Sequence, residues 1–357
     1  MHTYIIAEAG VNHNGSLKRA LEMVDMAAEA GADAIKFQLF KTEQLMTHDA
    51  PKAAYQKVTT GVTGNQFDMT KKLELGIEDH VALVKHCQQL HIDYLATPFD
   101  EDSLHQLIDV CHVNCIKIPS GEITNAPFLF AAGRTGCKII LSTGMATLGE
   151  VENALAVLAY GYRYEREPND LSDCISFYAQ DEAQKILQDK VTLFHCTTEY
   201  PAPYESVHLA CMQTMRTAFG LPVGYSDHTR GIYISLAAVA LGACIIEKHF
   251  TLNRNLPGPD QKASIEPDEL RQMVEGIRAI ELAVGDSIKK PAAVELKNMA
   301  IARKSLVAAK TIHKGDLFTP ENLMAKRPGD GVSPMKYWEI LGRNAAYDFL
   351  PDEKVKI

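Results

Sequence analysis

The sequence predicts an α/β fold: a (β/α)8 TIM barrel over residues 1–285, a linker over 286–300 and a small β-rich module over 301–357. Three observations predict the barrel. Eight short β-branched, apolar runs recur between Ile5 and His249, most of them lead through a loop into a helical stretch, and each ends in polar residues. Strands of a parallel barrel are buried on both faces and should be apolar throughout, so polar side chains gathered at their C-terminal ends are informative. Catalysis in such barrels sits at those ends.

The runs are Ile5–Glu8, Ala34–Gln38, Tyr94–Pro98, Cys115–Glu122, Ile139–Thr143, Leu193–Thr197, Val223–His228 and Ile245–His249. Helical periodicity follows where a barrel needs it. Leu17 to Ala30 is amphipathic, with Ser16 placed to cap its start and Gly31 to stop it. Similar stretches cover 77–91, 102–111, 127–135, 149–160, 206–219, 232–241 and 267–283. Two connections are long. Residues 39–76 emerge on the catalytic face, and a loop of that length is either a functional cover or disordered. Residues 161–190, with an extra helix from Asp181 to Asp189, fall on the opposite face and read as a surface insertion without a catalytic role. Beyond residue 300 come short β-like runs and turns such as Ser305–Ala309, too little chain for a secure core alone. The module is expected to dock on a barrel, its own or a partner's.

The chain has 357 residues, 46% hydrophobic and 23% charged, which is ample for a large core. A formal net charge of −9 argues against a nucleic-acid or anionic-membrane partner, though local lysines can still bind an anionic small molecule. There is no apolar run of membrane-spanning length and no signal segment, so a cytoplasmic enzyme is expected. The eight cysteines form no Cys-x-x-Cys pair and point to reduced thiols rather than a disulfide framework.

His228 and His249 close adjacent strands, which sets their Cα atoms roughly 5–10 Å apart. Two imidazoles at that spacing suit one divalent cation with positions left to water and substrate; the alternative is a pair of hydrogen-bonded barrel histidines. His195, one strand earlier, reads as packing. Lys36 and Lys117 sit inside apolar strands, where an unpaired ammonium is costly, so each should meet an anion. With Thr97, Ser120, Ser142, Thr143 and Ser226 nearby they fit a phosphate or carboxylate cradle. Internal pairing with Glu8, Glu122 or Asp227 is the alternative, and a desolvated lysine could also form a Schiff base. Glu8, Glu122 and Asp260 could orient a hydroxyl or act as acid or base.

Many ordered segments resemble the sialic acid synthase family: Ala-Glu-Ala-Gly-Val-Asn-His-Asn-Gly (7–15), Ile-Lys-Phe-Gln (35–38), Ala-Thr-Pro-Phe (96–99), Lys-Ile-Pro-Ser-Gly-Glu (117–122), Leu-Ser-Thr-Gly-Met (141–145), His-Cys-Thr-Thr-Glu-Tyr-Pro-Ala-Pro (195–203), Gly-Tyr-Ser-Asp-His-Thr (224–229), Glu-Lys-His-Phe-Thr (247–251) and Pro-Gly-Pro-Asp (257–260). Lys-Arg-Pro-Gly-Asp-Gly (326–331) is similar to the loop of that family's antifreeze-like (SAF) domain. The resemblance implies condensation of phosphoenolpyruvate with an open-chain N-acetylated mannose-type sugar, giving a nine-carbon 2-keto acid and phosphate. It implies phosphoenolpyruvate contacts at Lys36, Thr97, Lys117, Ser120, Ser142 and Ser226, with Gln38 among the substrate-binding residues. It also implies a divalent metal, manganese first and magnesium or cobalt as alternatives, on His228 and His249. Glu8, Tyr200 and Asp260 match positions near the sugar, and Glu122 is the candidate for steering the attacking water. Arg327 matches an arginine inserted into the other subunit's barrel, which implies a domain-swapped homodimer.

Thr198 and Glu199 in the strand-six motif, and Lys-Ala-Ala-Tyr-Gln-Lys (52–57), resemble the legionaminic acid synthase branch. Its sugar is 2,4-diacetamido-2,4,6-trideoxymannose; a short Thr198 would leave room for the C4 acetamido group and Glu199 could accept its N–H. N-acetylneuraminate and pseudaminate synthesis are the alternatives within the family, and a Schiff-base aldolase the alternative outside it.

Overall fold

The computed structural model describes residues 2–53, 56–57 and 64–357. The chain divides into two compact units, Met1–Gly285 and Asp286–Ile357. The first carries eight parallel strands: β1 (Tyr4–Gly10), β2 (Ala34–Leu39), β3 (Asp93–Pro98), β4 (Cys115–Ile118), β5 (Lys138–Ser142), β6 (Val191–Cys196), β7 (Val223–Asp227) and β8 (Ile245–His249). Their hydrogen-bonded order is β3-β2-β1-β8-β7-β6-β5-β4, and β3 packs beside β4, so the sheet closes into a barrel.

Side chains alternate along each strand, and the alternation sorts the barrel into layers. The inward set begins with Ile6, Ala34, Leu95, Ile140 and Phe194, a buried apolar plug. Two residues further along the same strands stand Glu8, Lys36, Thr97, Ser142 and Cys196. The outward set, including Ile5, Ala7, Ile35, Phe37, Ile116, Ile118, Ile139, Leu141, Leu193 and Val223, packs under the helices. Gly224 shows how tightly the plug is filled: a Cβ there would lie 2.5 Å from the Phe194 ring and 2.7 Å from the Ile245 carbonyl oxygen.

Local signals account for most helices. Ser16 Oγ accepts the Arg19 N–H at the start of Leu17–Glu29, and Thr147 and Glu150 form a reciprocal capping box on Leu148–Arg163. Residues 161–190 supply the end of that helix and two more, Leu171–Tyr178 and Asp181–Lys190. Lys190 Nζ reaches the Gly136 carbonyl just ahead of β5, on the face opposite the strand C-termini. The long connection after β2 contains helices Thr42–Leu45 and Gln66–Lys71. Ala54 and Tyr55 of the 52–57 motif lie outside the described residues.

The second unit pairs β9 (Ser305–Ala308) antiparallel to β10 (Leu323–Lys326). It has a core of its own, with Leu306, Ile312, Phe318, Leu323, Ile340 and Phe349 buried together. The segment expected as a separate linker, 286–300, belongs to this unit and contains most of the helix Ala293–Ala302, which buries none of its side chains. No helix among the described residues is long and apolar enough to cross a membrane.

Candidate active site

A cleft of about 280 Å³ opens at the strand C-termini and is lined by residues from all eight strands or the loops that follow them. Directly above the apolar plug lies an ionic floor. Glu8 and Lys36 are register partners across β1 and β2, and Lys36 Nζ sits 2.6 Å from Glu8 Oε2 and 3.6 Å from Glu247 Oε2. Lys117 Nζ sits 3.3 Å from Glu247 Oε1 and 5.5 Å above the Phe194 ring. Thr97 Oγ1 accepts from Lys36 Nζ at 3.0 Å, and Ser226 Oγ donates to Glu247 Oε1 at 2.8 Å. All four ionic side chains are buried. Internal pairing is therefore how both lysines are satisfied, through Glu8, as expected, and through Glu247. Asp227, another expected partner, points outward and pairs with Lys248 at 3.0 Å.

Burial and two cations compete over the carboxylates. Burial raises Glu8 above the ordinary carboxylate range despite Lys36 beside it. Burial would raise Glu247 too, but Lys117 and Lys36 together hold it well below that range. One proton is thus more easily held on Glu8 than on Glu247. Lys36 is held above its usual value because Glu247 and Glu8 outweigh the effect of burial.

Over the floor stand the two histidines, with ring centroids 5.4 Å apart. Tyr200 packs against His228 with ring centroids 4.2 Å apart and planes tilted by 36°, and meets His249 edge-on at 5.4 Å. His228 Nδ1 donates to the Thr197 carbonyl at 2.6 Å, which leaves Nε2 with the lone pair. Burial depresses His228 to about 4, and burial together with His228 depresses His249, so both rings are neutral at pH 7. His249 Nδ1 is buried without a hydrogen-bond partner. Neutral imidazoles, one with its tautomer fixed by a second hydrogen bond and the other with an orphaned nitrogen, fit a divalent cation. Among the described residues no group of three or more His, Cys, Asp or Glu could hold a metal, so further ligands would have to be water or substrate. His195 Nε2 donates to the Val207 carbonyl at 2.6 Å and is a packing residue.

Of the residues expected at the site, Glu8, Lys36, Gln38, Thr97, Lys117, Ser120, Ser142, Thr198, Tyr200, Ser226, His228, His249 and Asp260 all line this one cleft. Gly144 lets three of its walls converge, since a Cβ there would be 2.4 Å from Thr198 Oγ1, 2.8 Å from Ser120 Oγ and 3.1 Å from Cys196 Sγ. Asp260 is buried, and burial pushes its carboxyl up to about 6. Its turn is fixed by Asn12, whose Nδ2 donates to the Phe250 carbonyl and to Ser264 Oγ at 2.8 Å each, while Ser264 Oγ donates to the Asp260 carbonyl at 2.8 Å.

Two expectations need correction. Glu122 does not line the cleft; it sits in a 3-10 turn after β4, where Oε2 accepts from Asn125 Nδ2 at 2.6 Å. Glu199 is exposed and likewise not part of the lining. A carboxylate not expected at the site, Glu247, does line the cleft, and alternation could have found it, because it lies two residues before His249 and must share its face. Arg327 belongs to the second unit, exposed, with Nε donating to the Ala302 carbonyl at 2.9 Å.

Comparison with known proteins settles the relationship. The family model described as the NeuB family matches residues 23–289, and the SAF domain model matches residues 303–356. The chain belongs to the NeuB family. It is 49% identical to the N,N'-diacetyllegionaminic acid synthase of Campylobacter jejuni over 99% of both chains. It is 43% identical to the enzyme of the same name from Legionella pneumophila, over 96% of this chain and 90% of that one. Among solved structures, the N-acetylneuraminic acid (sialic acid) synthetase of Leptospira borgpetersenii, determined with citrate, is 33% identical with a TM-score of 0.68, covering 84% of this chain and 90% of that one. In this NeuB-family chain Glu8 lies ahead of the segment the NeuB model matches, yet the β1–β2 and β1–β8 pairings hold it in the same floor.

Proposed function

We propose that the protein condenses phosphoenolpyruvate with 2,4-diacetamido-2,4,6-trideoxymannose and water to give N,N'-diacetyllegionaminate and phosphate. The observation that carries this is the stacking, in one cleft, of a Lys36–Lys117 floor rimmed with hydroxyls beneath two neutral histidines. The near full-length identity to two proteins named as diacetyllegionaminic acid synthases supports the choice of sugar.

Lys36 and Lys117, with Thr97, Ser120, Ser142 and Ser226, bind the phosphate and carboxylate and fix the methylene carbon beneath the aldehyde. A divalent cation, manganese first, held by His228 and His249 would polarise that aldehyde. Attack of the methylene carbon forms the new C–C bond and leaves positive charge on the carbon bearing the phosphate ester; Glu247 faces it with negative charge. Glu8, raised by burial, can supply the proton taken up by the new hydroxyl. Water adds to the cationic carbon and returns one proton to Glu8, and the resulting C–OH collapses to the ketone as phosphate departs by C–O cleavage with the second proton, leaving the 2-keto acid. Asp260 and Tyr200 orient the sugar. A Schiff-base route through Lys36 is disfavoured, since its carboxylate partners keep the amine protonated.

The same reading makes Arg327 a residue of the partner subunit's cleft in a domain-swapped homodimer. Leu282 and Val284, at the end of the first unit's sequence, and Ile288, Val294, Leu296 and Ile301, in the second, are exposed apolar side chains, which supports a covering partner surface. Free thiols at all eight cysteines and a substrate from central metabolism support a cytoplasmic location. The test is the product mass from phosphoenolpyruvate, manganese and each candidate sugar in parallel. Preference for the diacetamido trideoxy sugar supports the proposal; preference for N-acetylmannosamine overturns the choice of sugar.

A further inference from the structure

One side of the cleft is unlike the rest. Val11, Phe40 and Leu73 form a small buried apolar cluster with Leu45 and Phe99 packed on it, apart from the main core. Phe40 and Phe99 meet edge to face at 6.1 Å, and Met46 extends the same surface from the end of the short helix Thr42–Leu45. Every one of these side chains lines the cleft; the described lining residues from the connection after β2 include no charged group, and its polar ones are Gln56, Gln66 and Thr70. A phosphate, a carboxylate or a sugar hydroxyl gains nothing from such a surface, and a hydroxyl pressed against it loses its water without a new partner.

Position says which part of the ligand meets the wall. Phe99 follows β3, and Phe40, Leu45, Met46 and Leu73 follow β2, three to four places round the eight-stranded ring from β7, which carries His228, and two to three from β8, which carries His249, so the wall lies across the mouth from His228. With the aldehyde at the histidines, the open-chain sugar extends across the mouth, and its far carbon reaches the loops after β2 and β3. We infer that the wall formed by Phe40, Leu45, Met46, Leu73 and Phe99 receives the methyl group at C6 and selects 6-deoxy sugars over their 6-hydroxyl counterparts. The inference rests on the proposed condensation of a 6-deoxy diacetamido sugar.

The experiment compares kcat/KM for two sugars differing only at C6, 2,4-diacetamido-2,4,6-trideoxymannose and its 6-hydroxyl analogue, 2,4-diacetamido-2,4-dideoxymannose. The natural protein should favour the methyl sugar by about ten- to a hundred-fold, the range one small group commands in an apolar pocket. Leu45→Gln and Met46→Gln, at half-buried positions where folding is least at risk, should shrink that ratio about ten-fold, while Leu45→Met keeps it. A merely structural role would lower both rates together and leave the ratio alone. Equal rates for the two sugars, or an undiminished ratio in both Gln variants, would overturn the inference with the proposed chemistry intact. Turnover of N-acetylmannosamine with neither diacetamido sugar accepted would overturn the underlying reading, and the inference with it.

Discussion

Glu8 and Lys36 face each other across β1 and β2 with their charged ends 2.6 Å apart and only 2% of either side chain exposed. A buried ion pair of this kind contributes little net stability against an apolar pair, because desolvation of both ions offsets their attraction. Breaking one is another matter, since it strands the other charge. The floor of the cleft is held together by that asymmetry, and Glu247 is its hinge because it serves Lys36, Lys117 and Ser226 at once.

Replacing Glu247 by Gln should therefore act on both stability and rate. Loss of one charge of a buried pair costs about 3–5 kcal/mol, read as a fall in the denaturant midpoint. Lysines displaced by about 1 Å should also lower turnover by about a hundred-fold, read from phosphate release. A variant with unchanged stability and rate would contradict the arrangement.

Asp260 links stability to pH. Its carboxyl titrates near 3.8 when unperturbed and about 6 when buried in the fold, so the folded state holds the proton more tightly. That contribution is fully present below about pH 4 and is lost as pH rises through 6. Asp260→Asn should accordingly raise the melting temperature at pH 7.5, by the equivalent of roughly 3 kcal/mol at most, and have little effect at pH 4. The KM for the sugar should rise at the same time. Thermal melts of both proteins across pH 4–8 check the sign; equal melting at every pH would contradict it.

Lys248 and Asp227 make the corresponding pair on the outer side of β7 and β8, both fully buried and 3.0 Å apart. Asp227 is further bound by Thr229 and Ser235, at 2.8 Å and 2.6 Å. Lys248→Ala leaves a carboxylate buried beneath the helices and should destabilise the protein by about 3–5 kcal/mol. Lys248→Met in an Asp227→Asn background should recover part of that loss, because it removes both charges. Chemical denaturation of the single and double variants decides.

What the sequence disclosed, and what it did not, follows from backbone geometry. Strand residues obey a two-residue alternation, so Glu8, Lys36, Thr97, Lys117, Ser142, Ser226 and His249 could be placed on one inner surface from spacing alone. Glu247 obeys the same rule but stands next to Lys248; two adjacent charges in one strand must face opposite ways, and only the spacing to His249 says which is inside. Beyond the strand ends the rule lapses. Glu122, in a 3-10 turn, faces a helix start, and Glu199, in the loop after β6, faces solvent. The connection after β2 has no strand periodicity to orient its side chains, so its contribution of an apolar wall was not legible in advance.

The most direct measurement follows the label in phosphoenolpyruvate carrying ¹⁸O in its C–O–P bridge, incubated with 2,4-diacetamido-2,4,6-trideoxymannose, with and without a chelator. One labelled phosphate should appear for each nonulosonate formed, both should vanish with chelator, and both should return when manganese is restored. Label kept in the organic product, or turnover indifferent to the chelator, would contradict a condensation by C–O cleavage at the Lys36–Lys117 floor beneath His228 and His249.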